Sequence, residues 1–119
     1  MAKILIVDDA AFMRMRAARL LIEAGHVVVE ATNGREAIEV YAREKPDCVL
    51  MDITMPEMDG LEALVEIRRL DPTARVAMLT AMGQQTIVMD AIKRGARDFV
   101  VKPFQPDRVL GAVAKLLAA

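Results

Sequence analysis

KILIVDD, residues 3–9, decides the fold of this chain: four consecutive aliphatic residues end abruptly in two aspartates. A strand buried on both faces of a parallel sheet has such a continuous apolar run, whereas a strand of a sheet open to water alternates apolar and polar residues. Four later runs are similarly rich in Val, Ile or Leu, at residues 27–31, 48–51, 75–79 and 98–101. The sequence therefore predicts five strands, the first at 3–7, in a sheet covered on both faces.

Helical spacing of apolar residues follows each predicted strand. In the first such segment the predicted apolar stripe is Met15, Ala18, Leu21 and Ile22, and comparable spacing recurs four more times. Alternating strands and helices with short connections favour a parallel sheet with right-handed crossovers. We therefore predict one α/β domain over residues 1–119, a flavodoxin-like (βα)5 fold with strand order 2-1-3-4-5 and helices on both faces.

Turn and cap residues fall where this arrangement needs them. Gly25 and Gly95 stand where two helices should end, and Pro106 stands where the last should begin. Asn33 and Glu36, three residues apart, predict a capping box at the start of the second helix.

The composition excludes several classes of function. With 16 basic and 17 acidic residues among 119, the net charge of -1 gives no basic field for nucleic acid or an anionic membrane. The single cysteine, Cys48, excludes a disulfide framework and a multi-cysteine zinc site, which fits a reducing cytoplasm. No apolar stretch approaches the roughly 18 to 20 residues of a membrane span. We expect a cytoplasmic monomer.

Polar residues follow four of the predicted strands at the point where each ends: Asp8 and Asp9, Asp52, Thr80, and Lys102. Because ligands of such sheets bind beyond the carboxyl ends of the strands, these side chains should converge. Neighbouring strands lie about 4.8 Å apart, so we expect the Asp52 and Asp8–Asp9 carboxylates within roughly 4 to 7 Å of each other. Taken singly, each residue also fits a turn or a helix cap, but their joint placement favours a site.

Three close carboxylates repel one another and need compensation. At an effective dielectric of about 20, each close pair costs about 3 to 4 kcal/mol. A divalent cation or proton uptake would offset this repulsion. Mg2+ suits the cluster better than calcium, because it binds few carboxylates, keeps several waters and leaves room for a phosphate oxygen.

A carboxylate beside Mg2+ can attack phosphorus and form an aspartyl phosphate. Asp52 is the best candidate nucleophile, since it is a lone carboxylate, while Asp8 and Asp9 form a pair suited to metal. Lys102 would contribute a point charge and Thr80 a hydroxyl donor. The sequence has no P-loop, so the phosphoryl donor should be carried by another molecule.

The motifs that carry these residues resemble the receiver domains of two-component response regulators, in order and spacing over essentially the whole chain. They are ILIVDD at 4–9, DITMPEMDG at 52–60, TA at 80–81 and KPF at 102–104. Within that family the chain is most similar to single-domain chemotaxis regulators, through NGREA at 33–37, AMGQQ at 81–85 and GARDF at 95–99.

The resemblance implies a phosphorylation site and a metal site. Asp52 would accept a phosphoryl group from a histidine kinase, with Mg2+ held by Asp9, Asp52 and the backbone carbonyl of Thr54, and with Asp8 acting through water. The only chemistry of such a protein is its own phosphorylation and dephosphorylation.

The resemblance also implies the residues of a switch. Lys102 would bond the phosphoryl group, Thr80 would move toward it, and Phe99 would change rotamer. Ala81 would belong to the same phosphoryl-binding and switch set. The Lys102–Pro103 peptide bond would be cis.

Three positions depart from the best-known pattern of the chemotaxis regulators. Thr54 replaces an amide residue and Met82 an acidic residue, which bears on the dephosphorylation rate and on the response to a phosphatase. Phe99 stands where Tyr is frequent and removes a phenolic hydrogen bond from the output surface.

The output surface is predicted from an excess of apolar residues on the fourth helix, too wide an arc to be fully buried. We expect a partner helix or peptide, by resemblance a flagellar motor switch protein, to bind a face made of Val88, Met89, Ile92, Phe99 and Val109. Two alternatives stay open. One is a Mg2+-dependent phosphohydrolase like the haloacid dehalogenases, although Thr54 stands where such enzymes need an acid. The other is a stand-alone receiver in a phosphorelay outside chemotaxis.

Overall fold

A computed structural model describes residues 1–53, 55, 58–81 and 85–118, in which five strands alternate with five helices. The strands are β1 (Lys3–Val7), β2 (Val27–Ala31), β3 (Cys48–Asp52), β4 (Val76–Ala81) and β5 (Asp98–Lys102). The helices are α1 (Ala11–Glu23), α2 (Gly34–Glu44), α3 (Gly60–Leu70), α4 (Gln85–Lys93) and α5 (Pro106–Ala118). None of these described helices is long and apolar enough to cross a membrane.

The strands form one parallel sheet in the order β2-β1-β3-β4-β5, which confirms the predicted topology. Val7, the last residue of β1, lies opposite Ala31 of β2 and Met51 of β3. Ala81 lies opposite Lys102. This register brings the carboxyl ends of the strands to one edge, as the parallel arrangement requires.

Three strands extend beyond their predicted ends. β3 includes Asp52, β5 includes Lys102, and β4 begins at Val76, one residue later than predicted, and runs on through Thr80 and Ala81. Several site residues are therefore the last members of strands and not the first residues of loops. Their main chains are fixed by the sheet.

The sheet is covered on both faces, as the continuous apolar runs predicted. Leu5 and Val7 of β1 pack in one core layer, and Ile4 and Ile6 pack in the layer on the opposite face. Every residue of β3 is buried. Cys48 lies in the second layer, and burial raises the pKa of its thiol to about 12.

The predicted stripe of α1 is partly wrong. Met15 and Ile22 are 52% and 57% exposed, whereas Ala17, Ala18 and Leu21 form the buried stripe. Apolar residues lie around much of this helix, so its sequence offers more than one apolar stripe. The close packing of small alanines against the sheet selects the observed one.

The helix ends follow the predicted signals. Gly25 and Gly95 have φ values of +94° and +112°, which L side chains rarely adopt. At the start of α2, Asn33 Oδ1 accepts the Glu36 N–H at 2.8 Å. The Glu36 carboxylate in turn accepts the Thr32 N–H at 2.9 Å, one residue before the position of a standard capping box.

Candidate functional site

Three carboxylates converge at the carboxyl edge of the sheet. One oxygen from each of Asp8, Asp9 and Asp52 lies within 4.8 Å of the other two. Asp8 and Asp9 directly follow β1, and Asp52 ends the neighbouring β3. Asp8 and Asp52 are buried and Asp9 is exposed. The cluster thus has a buried base and one side open to solvent.

The Lys102 ammonium bridges the two buried carboxylates. Its Nζ atom lies 2.9 Å from Asp8 Oδ2 and 3.3 Å from Asp52 Oδ2. Burial lowers the pKa of Lys102, but the Asp8 hydrogen bond and the charges of Asp52 and Asp8 outweigh burial and hold this pKa above its ordinary value. One cation among three carboxylates offsets part of the repulsion and leaves a net negative site.

Both oxygens of the Asp8 carboxylate have donors from the protein. Oδ1 accepts the Ala10 N–H at 2.9 Å, and Oδ2 accepts from Lys102. The Asp8 main-chain carbonyl also accepts from the Arg14 guanidinium at 2.8 Å. Asp8 is therefore held in one orientation, whereas Asp9 lies on the solvent side of the cluster.

Gly60, the first residue of α3, lets the loop after β3 pack against the Asp52 main chain. Its N–H donates to the Ile53 carbonyl at 2.7 Å, and a Cβ built there would overlap the main-chain oxygen of Asp52. Gly60 is a residue of the site for which the sequence motif predicts no role. The Asp59–Gly60 pair was the available signal, since Asp59 caps α3 by accepting the Glu62 N–H.

Three of the switch residues, Thr80, Ala81 and Lys102, lie at the same edge of the sheet, whereas Phe99 lies near the start of β5. Thr80 is 2% exposed and its hydroxyl donates to the Ala81 carbonyl at 3.2 Å, and Ala81 lies opposite Lys102. The Lys102–Pro103 peptide bond is cis. Thr54 and Met82 fall outside the described residues, so the role given to their side chains in dephosphorylation stays a prediction.

The predicted partner face is only partly exposed. Met89 and Ile92 of α4 are 60% and 43% exposed, which confirms that some apolar surface of this helix faces solvent. Val88 and Val109 are 7% and 0% exposed, so their placement on the surface was wrong. Each lies on the inner side of its helix and packs in the core.

Two apolar residues of β5 are also exposed. Phe99 and Val101 are 37% and 38% exposed, while Val100 between them is buried. We call the set Met89, Ile92, Phe99 and Val101 the α4–β5 face. Val101 belongs to it although sequence reasoning left it out, and the alternation along an edge strand was the signal that could have found it.

Sequence reasoning also missed an ion pair at the start of β5. Asp98 Oδ1 lies 3.2 Å from Arg108 Nη2 of α5. Burial raises the pKa of Asp98, but the Arg108 guanidinium and the Phe99 N–H outweigh burial and hold this pKa below its ordinary value. No sequence pattern predicts that an aspartate in an apolar run forms an ion pair with an arginine ten residues later.

Residues 4–114 match the family described as response regulator receiver domain. Two curated relatives named chemotaxis protein CheY cover nearly the whole chain. The Thermotoga maritima protein is 57% identical over 115 residues, 96% of each chain, and the Bacillus subtilis protein is 60% identical over 116 residues, 97% of each.

Two solved structures also superpose on this chain over nearly its whole length. The receiver domain of NtrX from Brucella abortus superposes with a TM-score of 0.94 at 33% identity and covers 98% of both chains. The Vibrio cholerae chemotaxis protein CheY4 superposes with a TM-score of 0.93 at 31% identity, over 98% of this chain and 99% of the other.

Proposed function

The chain belongs to the response regulator receiver domain family, and from that premise we propose that Asp52 is the phosphoryl acceptor of a signalling switch over residues 1–119. CheY-like receivers are phosphorylation-activated signalling domains and not enzymes that turn over a separate substrate. The phosphohydrolase alternative loses its support for this reason.

The observation that carries the proposal is an ammonium group among three carboxylates that converge in the described part of the chain. The site is too negative to be left without a cation, and Lys102 touches both Asp8 and Asp52. Both oxygens of Asp8 accept donors that hold this side chain in place, which favours a supporting role. Asp52 is the carboxylate that ends the central strand β3, and this favours it as the nucleophile.

The chemistry is a transfer from a phosphohistidine of a histidine kinase. An Asp52 oxygen forms a bond to phosphorus, the bond from phosphorus to the histidine nitrogen breaks, and the imidazole leaves with its electron pair. Lys102 would donate to a phosphoryl oxygen, and the Thr80 hydroxyl and the Ala81 main chain lie at the same edge of the sheet. In dephosphorylation, water would attack phosphorus, the bond from phosphorus to the Asp52 oxygen would break, and inorganic phosphate would leave Asp52 as a carboxylate.

The donor set fits Mg2+. Asp8, Asp9 and Asp52 would hold the ion with the backbone carbonyl of Thr54, and Asp8 would act through water because both of its oxygens accept protein donors. When bound, Mg2+ supplies neutralisation of the phosphoryl oxygens. The chain itself supplies orientation, since Asp52 and Lys102 are both fixed as the last residues of strands.

We propose that phosphorylation raises the affinity of the α4–β5 face for a partner helix or peptide. The names of the relatives support a chemotaxis pathway, and the resemblance implies a flagellar motor switch protein as this partner. A phosphorelay outside chemotaxis would use the same site with another partner. In either pathway we expect the protein to act as a monomer.

Incubation with acetyl phosphate and Mg2+, followed by intact-protein mass spectrometry, tests the acceptor. We expect wild type to gain one phosphoryl group and Asp52→Asn to gain none, because an amide is a poor nucleophile. Asp107→Asn, an exposed aspartate of α5, is the matched control and should label like wild type. Labelling of Asp52→Asn at the wild-type level would refute the assignment.

The rate of acetyl phosphate consumption separates the two classes of protein. A receiver accumulates as the phosphorylated protein, so consumption slows after about one equivalent. Rapid consumption of many equivalents would favour a phosphohydrolase.

A further inference from the structure

An ion pair links the start of β5 to the first turn of α5, directly beside Phe99. Arg108 Nη2 lies 3.2 Å from Asp98 Oδ1, and Nη1 lies 3.5 Å from Asp98 Oδ2. The Asp98 side chain is 10% exposed, whereas that of Arg108 is 46% exposed. The planar guanidinium reaches both oxygens of one carboxylate, a geometry that a lysine ammonium does not reproduce.

The same two side chains hold both main-chain polar groups of Phe99. The Phe99 N–H donates to Asp98 Oδ1 at 2.8 Å, and Arg108 Nη2 donates to the Phe99 carbonyl at 2.6 Å. The Phe99 side chain is exposed on the α4–β5 face while its backbone is fixed from two sides. The main chain beneath this exposed ring is therefore restrained by this ion pair in addition to the pairing of β5 with β4, in which Phe99 lies opposite Met78.

This ion pair lies away from the phosphoryl site. Asp98 begins β5 and Lys102 ends it, so four residue steps of about 3.3 Å separate them by about 13 Å. Arg108 and Asp98 are thus outside the group that would touch the phosphoryl oxygens. Their contacts act on the signalling face and not on the chemistry.

We propose that Arg108 is a positioning residue, whose contacts with Asp98 and the Phe99 carbonyl hold Phe99 in its resting orientation and limit its response to phosphorylation at Asp52. This inference rests on the proposed function and deepens it by naming a group that regulates the switch. Loss of the Arg108 contacts removes a restraint that favours the resting state. The resting population should then move toward the phosphorylated one.

Fluorine NMR of protein labelled with 4-fluorophenylalanine tests the proposal. The chain has three phenylalanines, so Phe12 and Phe104 provide internal references for Phe99 when the resting spectra of the variants are compared. Spectra are recorded at rest and with Mg2+ plus beryllofluoride, a phosphoryl mimic that binds carboxylates. The variants are Arg108→Gln, Arg108→Lys and Asp98→Asn. The control is Arg97→Gln, at an exposed arginine that neighbours Asp98 in the chain.

We expect the resting Phe99 signal of Arg108→Gln to move toward the wild-type beryllofluoride position, with a smaller separation between the two states. Arg108→Lys should fall between Arg108→Gln and wild type, because lysine keeps the charge and loses the two-nitrogen contact. Asp98→Asn should shift in the same direction as Arg108→Gln, and Arg97→Gln should match wild type. The Phe12 signal should stay unchanged in all of them.

An unchanged pair of Phe99 positions in Arg108→Gln, together with a lower melting temperature, would overturn the proposal and leave the ion pair a purely structural role. If Arg108→Gln does not fold, the Phe99 positions of Arg108→Lys and Asp98→Asn test the proposal in the same way. A wild-type Phe99 signal that ignores beryllofluoride also overturns the proposal, because Arg108 then has no response of Phe99 to limit. The proposed function fails separately, if acetyl phosphate does not label Asp52.

Discussion

The Lys102 ammonium group contacts two buried carboxylates. The site therefore carries less net negative charge than its three aspartates alone would give it. The sequence predicts that a divalent cation or proton uptake offsets the repulsion among the three carboxylates. The structure adds Lys102, whose Nζ lies 2.9 Å from Asp8 and 3.3 Å from Asp52. Lys102 thus supports the site before phosphorylation and is in place to bind the phosphoryl group afterwards.

Replacing this lysine should destabilise the metal-free protein. In EDTA we expect Lys102→Met to lower the free energy of unfolding by about 1 to 3 kcal/mol, because it leaves two buried carboxylates without their ammonium partner. The loss should be smaller in an Asp52→Asn background, where one repelling charge is gone. Urea unfolding of the two single variants, the double variant and wild type measures this coupling.

Lys93→Met, at an exposed lysine of α4, is the control for loss of a surface charge and should change stability by less than about 0.5 kcal/mol. Equal losses from Lys102→Met with Asp and with Asn at position 52 would show that Lys102 does not offset the Asp52 charge.

At the scale of the elements, glycines at helix ends and glycine within a helix have opposite effects on stability. Gly25 follows the end of α1 with a φ of +94°, whereas Gly111 lies inside α5, where a Cβ would meet nothing within 4 Å. The first position needs the left-handed backbone that ends the helix. Gly111 does not need a left-handed backbone, and as a glycine within a helix it lowers the helix propensity of α5.

Alanine at these two positions should therefore act in opposite directions. We expect Gly111→Ala to raise the free energy of unfolding by about 0.5 to 1 kcal/mol. Gly25→Ala should lower it by about 1 to 2 kcal/mol through backbone strain alone, since nothing lies within 4 Å of its Cβ. Urea unfolding measures both, and a stabilising Gly25→Ala would contradict the conformational argument.

A hydrogen bond at 2.7 Å joins the Tyr41 hydroxyl of α2 to Asp71 Oδ2, on the residue that directly follows α3. Burial of Tyr41 is the largest cause that raises its pKa, followed by the hydrogen bond to Asp71 and the Asp71 charge, with Arg68 opposing them. In the unfolded chain Tyr41 ionises near its ordinary pKa. The folded state therefore binds more protons than the unfolded state above about pH 10.

The stability that comes from neutral Tyr41 should be fully present below about pH 10 and lost progressively as the pH rises further. Tyr41→Phe removes the titrating group, so we expect its unfolding free energy to fall less than that of wild type between about pH 8 and about pH 11. Urea unfolding across this pH range measures the difference in unfolding free energy between wild type and Tyr41→Phe. The titration of the lysines largely cancels in this difference, because both proteins have the same lysines. Parallel pH profiles would contradict a raised Tyr41 pKa.

Across the whole molecule, β4 and β5 connect the phosphoryl site to the α4–β5 face. Thr80 lies opposite Val101 of the face, and Ala81 lies opposite Lys102 of the site. One edge strand thus carries the lysine of the site and two apolar residues of the signalling surface. A structural change at Asp52 can therefore affect that surface through the two adjacent strands β4 and β5.

Methyl NMR of the methionines tests this connection. Upon addition of Mg2+ and beryllofluoride we expect the Met89 methyl signal to shift in wild type and to stay fixed in Asp52→Asn. Met15, an exposed methionine of α1, should remain unshifted and serves as the reference within the same spectrum. A Met89 signal that does not respond, with shifts confined to residues around Asp52, would exclude the α4–β5 face as the output.

The sequence by itself determined the strand order, the cover on both faces of the sheet and the convergence of Asp8, Asp9 and Asp52. These features depend on local patterns: apolar runs, helical spacing, and polar residues at strand ends that a parallel sheet brings to one edge. Tertiary structure alone decided which stripe of α1 is buried and that Val88 and Val109 face the core. It also decided that the Lys102 ammonium, which the sequence placed at this edge, contacts both buried carboxylates, and it brought Arg108 to Asp98 and Phe99. Those outcomes depend on how each helix is rotated against the sheet and on which side chains meet across it, and no local pattern contains that information.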